Sequence, residues 1–144
     1  MNPTSPSARM DKIYFEWDKA LSENDPMKLL ACYSKDATIE SPLIPHLMGK
    51  QEGVCRGHDE MRPFFEKVAQ RKPPVRQYYR TGYLTDGKNR MVFEYPHESP
   101  EGEQMDFVEV MELNEDGLIQ HHRVYWGWFG VQVLQRDQYQ KRAA

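Results

Sequence analysis

Apolar positions recur with two periods along this chain, and the change of period divides it. From Met10 to Ser22 the spacing is helical: Ile13, Trp17 and Leu21 fall four apart, with Tyr14 widening the stripe. The stretch "ENDP" stops that helix and starts another, with Asp25 as N-cap and Pro26 at the first helical position. Met27, Leu30, Ala31 and Tyr33–Ser34 continue it as a short amphipathic second helix. Alternation of Ala37, Ile39 and Ser41 against Thr38 and Glu40 then predicts a brief strand closed by Pro42. Residues 43–57, interrupted by prolines and glycines, read as a surface loop. "GHDEMRPFFEKVAQRK" predicts a third helix, with Asp59 as cap, Met61, Phe64, Phe65 and Val68 as its apolar face, and Pro73-Pro74 as its stop.

Beyond that point the period drops to two. Val75–Thr85, Arg90–Tyr95, Gln104–Leu113 and Leu118–Val133 read as strands, separated by "TDGKN", "PHESPEGE" and "NEDG". Sequential strands joined by short turns imply an antiparallel sheet. Three helices followed by four strands predict an α+β domain over residues 10–134, with the helices on one face of the sheet. A strongly curved sheet would make the assembly a cone enclosing a pocket. Residues 1–9, rich in proline and serine, read as a disordered arm, and 135–144 as a polar tail.

Composition sharpens this picture in three places. At 144 residues the chain is long enough for one substantial core. Only 39% of it is apolar but 12% is aromatic, which suits a small core of large side chains lining a cavity. The net charge of -3, with Arg71, Lys72, Arg76, Arg136, Lys141 and Arg142 scattered among acids, excludes a basic stripe and hence a general nucleic-acid partner. Cys32 and Cys55 form no C-x-x-C pair, and no apolar run approaches the ~18 residues a membrane span needs. The expectation is a soluble protein of a reducing cytoplasm with no membrane partner.

The chemistry concentrates in the last two strands. On Gln104–Leu113 the inward face is Met105, Phe107, Glu109, Met111 and Leu113, so one carboxyl group falls among apolar neighbours. Such a group needs a partner. If "NEDG" is a four-residue turn, Leu113 pairs with Leu118, Phe107 with Val124, Met105 with Trp126 and Glu109 with His122. His122, Val124 and Trp126 then face inward, and His121, Arg123 and Tyr125 outward; a slip of one residue would reverse the two sets. The doubled histidine is no metal signature, since adjacent strand residues point to opposite faces. His46, His58 and His97 stand in loops at no ligand spacing, His58 within the cap region of the third helix. No phosphate-binding glycine loop or nucleotide fingerprint occurs, so neither metal nor cofactor is expected.

The order of elements, with "YSKDATIESP", "RGHDEMRPFFEKV" and "VEVMELNEDGLIQHHRVYW", resembles the nuclear transport factor 2-like superfamily, and within it the SnoaL-like and ketosteroid isomerase-like branch, over roughly residues 10 to 134. The resemblance implies a cystatin-like α+β roll and a homodimer through the outer sheet face. It also implies a pocket used by isomerases, polyketide cyclases, dehydratases and hydrolases, or by binding and dimerisation modules. In ketosteroid isomerases the residue before the proline of the first strand is a proton-shuttling aspartate; here it is Ser41. Their oxyanion-hole tyrosine falls at Trp17, and their second donor, a protonated aspartate, at Glu109. Steroid isomerisation by that route is therefore not expected.

Residues and resemblance together point to a Glu109–His122 dyad at the floor of an aromatic pocket. Its expected walls are Trp17, Tyr33, Phe65, Phe93, Met105, Phe107, Val124 and Trp126, with Tyr14 and Ser41 near the mouth. A histidine held by a carboxylate can act as general base or acid near neutral pH. The expected function is cofactor-independent acid/base chemistry on a hydrophobic cyclic small molecule, with His122 as general base or acid and Glu109 either orienting it or, if it stays protonated, donating a proton to a developing oxyanion. The alternatives are a protein that binds such a molecule unchanged, or a dimerisation module.

Overall fold

The computed structural model describes residues 5–70, 82–98, 104–127, 131, 132 and 135. The side chains of residues 96–98, 104 and 105 also fall outside the description, and with them the expected wall position of Met105. Most of the expected strand Val75–Thr85 and of the polar tail lie outside the described residues too; the last strand, expected to run to Val133, ends at Trp126, and Val131 and Gln132 are helical and not extended.

Helix α1, Pro6–Ser22, starts inside the segment expected to be a disordered arm. Ser5 is an N-cap whose hydroxyl accepts from Ala8 N–H at 3.3 Å, and Pro6 occupies the first helical position, where a missing N–H has no consequence. The proline and serine read as loop composition are thus a helix-start signal. Met10, Ile13, Trp17 and Ala20 form its buried face. Helix α2, Pro26–Leu30, is capped by Asp25, which accepts from Met27 N–H and Lys28 N–H at 3.1 and 3.0 Å. It stops sooner than expected because Tyr33 and Ser34 are drawn into strand β1, Tyr33–Glu40.

The expected loop at 43–57 contains helix α3, Leu43–Met48, and strand β2, Val54–Arg56. Ser41 Oγ accepts the Leu43 N–H at 3.2 Å, and Gly49 closes the helix at φ 66°, a left-handed position that suits glycine. Helix α4, Gly57–Ala69, is not capped by Asp59; Glu60 reaches back to accept the Arg56 N–H at 3.1 Å, while Asp59 stands in the first turn. Met61, Phe64 and Phe65 are its buried face.

Strands β3 (Leu84–Thr85), β4 (Arg90–Glu98), β5 (Gln104–Leu113) and β6 (Ile119–Trp126) complete one curved, unclosed sheet in the order β2-β1-β6-β5-β4-β3. The α+β architecture is the expected one, with two differences in detail. Four helices are present among the described residues. β1 lies between β2, with which it pairs antiparallel, and β6, with which it pairs parallel, so one seam of the sheet is not the antiparallel one expected. Helices cover the inner face, and the core lies between them and Met91, Phe93, Phe107, Met111 and Ile119 of the sheet.

The β5–β6 hairpin corrects the expected register. Asn114 N–H donates to Leu118 C=O at 2.8 Å, so Leu113 pairs with Ile119 and not with Leu118. A bulge follows, because Glu112 pairs with His121 and Gln120 is left as the extra residue. Either one-residue shift alone would have turned the strand over; the two in succession restore the faces. His122 is therefore buried and Tyr125 exposed, but the pairs are Met111–His122, Glu109–Val124 and Phe107–Trp126.

Candidate functional site: a buried Trp–Tyr–His–Glu chain

Four side chains from four elements meet at the inner face of the sheet. Trp17 comes from the buried stripe of α1, Tyr33 from the start of β1, Glu109 from β5 and His122 from β6. Trp17 Nε1 donates to Tyr33 Oη at 3.2 Å, Tyr33 Oη is 2.8 Å from His122 Nδ1, and His122 Nε2 is 2.6 Å from Glu109 Oε2. His122 is 1% exposed and Glu109 3%.

Trp17 anchors one end of the chain. An indole N–H can only donate, so Tyr33 Oη accepts from it. With the phenol hydrogen turned to His122 Nδ1, the imidazole proton stands on Nε2 and is donated to Glu109 Oε2. Burial pushes the Tyr33 phenol well above its ordinary range, against the opposing effect of the Trp17 hydrogen bond, so it stays a neutral donor. Tyr33 is also held at its backbone, where its carbonyl accepts from His58 Nε2 at 2.9 Å. This places His58 in the support of the site. Its signal in sequence was slight, a histidine in a helix's first turn.

Both ring nitrogens of His122 are thus engaged within the protein. Glu109 differs: Oε2 is taken by His122, while Oε1 makes no hydrogen bond with any described residue. Nor is Oε1 among the fully enclosed side-chain polar atoms that lack a hydrogen bond.

Glu109 lines a cavity of about 100 Å³, approaching in size the ~150 Å³ void that accommodates a benzene ring. Of the expected wall, Trp17, Tyr33, Ser41, Phe65, Phe107, Val124 and Trp126 line this space with Glu109 and His122. Tyr14 and Phe93 do not: they pack edge-to-face at 5.1 Å and border a separate hollow beyond Trp17, with Tyr83 and Gly82. Trp17 is the partition, stacking edge-on to Phe93 at 5.6 Å and to Tyr95 at 5.3 Å.

Sequence reasoning did not find Tyr95, Phe64, Leu43 and Asn24 in the cavity wall. Tyr95 had a signal, its alternation with Phe93 along β4. Leu43 was masked by the prolines of the supposed loop. Asn24 reaches the wall through a positive φ of 51° in the α1–α2 turn, which no spacing rule announces.

His121 points to the opposite face. Its Nε2 is 2.5 Å from Glu40 Oε2 and its Nδ1 3.3 Å from Glu112 Oε2, and Arg90 pairs with Glu112 beside it. Among the described residues no group of three His, Cys, Asp or Glu side chains is arranged to hold a metal ion. No helix there is long and apolar enough to cross a membrane.

Comparison with known proteins agrees with this fold. The family described as SnoaL-like domain matches residues 14–122. No protein of curated function matches. Similar solved structures include a SnoaL-like protein of unknown function from Burkholderia thailandensis, 16% identical, covering 83% of this chain and 95% of that one with a TM-score of 0.68. An NTF2-like protein from Anabaena variabilis is 17% identical, with 88% and 92% covered and a TM-score of 0.69. The epoxide hydrolase/cyclase-like enzyme SalBIII, described in pyran ring formation in the polyether salinomycin, is 22% identical, with 87% and 95% covered and a TM-score of 0.61. At these identities the structural neighbours establish the fold. With the family match spanning most of its length, this chain belongs to the SnoaL-like domain family, and it shares its fold with NTF2-like proteins.

Proposed function

We propose that this protein performs cofactor-independent acid/base chemistry on a small cyclic molecule, with Glu109 as the group that exchanges the proton. The observation that carries this reading is the asymmetry of the dyad. His122 has no free nitrogen, whereas Glu109 keeps one oxygen, Oε1, open to the cavity. The expected roles are therefore exchanged. His122 is the positioning residue: its Nε2–H donates to Oε2 and holds the carboxylate in place, and Oε2 remains the acceptor when Oε1 takes a proton from the bound molecule to give the neutral acid. Tyr33 and Trp17 fix the ring and its tautomer. Support of a weaker kind comes from the fold shared with SalBIII, whose cyclase-like chemistry is proposed here only as a class.

Cyclohexanone in D₂O serves as a test of proton transfer, with α-deuteration followed by NMR. The expected outcome is exchange above the buffer rate in the wild-type chain, loss of about 10²–10⁴-fold in Glu109→Gln, and a smaller loss in His122→Asn. Exchange in the wild type no faster than in buffer would sink the catalytic reading. If the ketone nevertheless bound, a binding protein would take its place.

A further inference from the structure

The polar groups of the cavity wall are not equally spent. Trp17 Nε1, Tyr33 Oη and both ring nitrogens of His122 are committed to one another and to Glu109 Oε2. Ser41 is different. Its Oγ accepts the Leu43 N–H at 3.2 Å, while its hydroxyl hydrogen is given to no acceptor among the described residues. The side chain is 7% exposed and lines the cavity. A buried hydroxyl that loses water without replacing it carries a cost, which a bound acceptor would remove.

Ser41 also stands on one line across the sheet with Glu109. Strand β1 pairs with β6 through Ile39–His122 and Glu40–Arg123, so the next position sets Ser41 beside Val124. Val124 is in turn paired with Glu109 on β5, and all three residues line the cavity. Two strand spacings, about 9.5 Å, separate the backbones of Ser41 and Glu109. One end of this line carries an open donor, Ser41 Oγ–H, and the other an open acceptor, Glu109 Oε1. The cavity between them is sized for one small ring.

We propose that Ser41 is a second catalytic residue and that the substrates are ring ketones, the carbonyl oxygen accepting from Ser41 Oγ–H while the adjacent carbon faces Glu109 Oε1. This rests on the reading of Glu109 as the group that exchanges the proton, and deepens it by naming the substrate class. Oε1 takes a proton from the carbon beside the carbonyl. The C–H electron pair becomes a C=C bond, and the carbonyl π pair moves to oxygen. Ser41 Oγ–H holds the resulting enolate oxygen through a bond that strengthens as charge develops there. Return of the proton from Glu109 to carbon completes the exchange.

Cyclohexanone and methylenecyclohexane have nearly one shape, but only the first carries an acceptor oxygen. Comparing them separates a lost hydrogen bond from a disturbed wall. Binding is read by the fluorescence of Trp17 and Trp126, both in the wall. Ser41→Ala should weaken cyclohexanone about tenfold and leave methylenecyclohexane unchanged. At saturating ketone it should also slow α-deuteration in D₂O about 10–10²-fold. Equal effects on the two ligands, or deuteration at the wild-type rate, overturn the inference while Glu109 keeps its role. A wild-type chain that leaves cyclohexanone undeuterated overturns both. On the wild-type chain the carbonyl stretch of bound cyclohexanone should lie below its position in hexane. A stretch at the hexane value overturns the inference even where Ser41→Ala does not fold.

Discussion

Glu109 and His122 touch along a diagonal of the β5–β6 ladder, not across a rung. Met111 is the residue paired with His122, and Val124 the one paired with Glu109, yet Glu109 Oε2 and His122 Nε2 are 2.6 Å apart. Diagonal neighbours on one face are within reach of long side chains, and a glutamate spans the extra distance that an aspartate would not. Shortening should therefore matter as much as neutralising. In Glu109→Asp the carboxylate should withdraw from Nε2, with a loss of ~1–3 kcal/mol from the unsatisfied imidazole N–H, measured by urea denaturation.

Removing the histidine should be worse than removing its neighbour. His122→Ala leaves a buried carboxyl without its partner and opens a void, and a loss of about 3–5 kcal/mol is expected. His121→Ala removes a ring from the half-exposed outer face, beside Glu40 and Glu112, and should shift stability by under about 1 kcal/mol. Equal effects of the two substitutions would contradict the assignment of faces.

The direction of the hydrogen-bond chain can be observed directly. In ¹⁵N-resolved NMR, His122 should show a proton on Nε2 and an unprotonated Nδ1. Tyr33→Phe removes the donor to Nδ1 and should leave a mixture of tautomers, at a stability cost of about 1–3 kcal/mol for the stranded Trp17 N–H and imidazole nitrogen. A wild-type spectrum with Nδ1 protonated would reverse the assigned direction.

Alkaline pH should unfold the protein, and the sign follows from the groups that burial holds protonated. Burial raises the Tyr33 phenol well above its ordinary value of 10.0 and the Cys32 thiol from 9.0 to about 12. In the unfolded chain both lose their protons first. Their contribution is complete below pH 9, begins to fall as Cys32 and then Tyr33 ionise in the unfolded state, and for Cys32 is spent near pH 12. Urea midpoints should therefore decline from pH 8.5 to 11. Tyr33→Phe with Cys32→Ser should flatten that decline, and an unchanged slope would assign it to other groups.

Much of this protein was legible in its sequence because the deciding interactions are local. The four-residue spacing of Ile13, Trp17 and Leu21, the Asp25-Pro26 start signal and the alternation from Phe107 to Leu113 each express one element's own geometry. The inward set His122, Val124 and Trp126 followed from the same alternation. Where reading failed locally, one signal concealed another: Ser5-Pro6 looked like an arm and is a helix start, and the prolines near Leu43 looked like a loop and flank a helix.

Only the tertiary structure decided the rest. The parallel seam between β1 and β6 joins distant parts of the chain, and at the Gln120 bulge Ser34 and Asp36 of β1 hydrogen-bond its side chain at 2.9 and 3.2 Å. That seam brings Tyr33 within reach of His122 and occupies the second ring nitrogen. Pattern along one strand can say which residues face a cavity. It cannot say which of two touching groups keeps a free atom, because that depends on partners arriving from elements elsewhere in the fold, and here they leave Glu109 open and His122 closed.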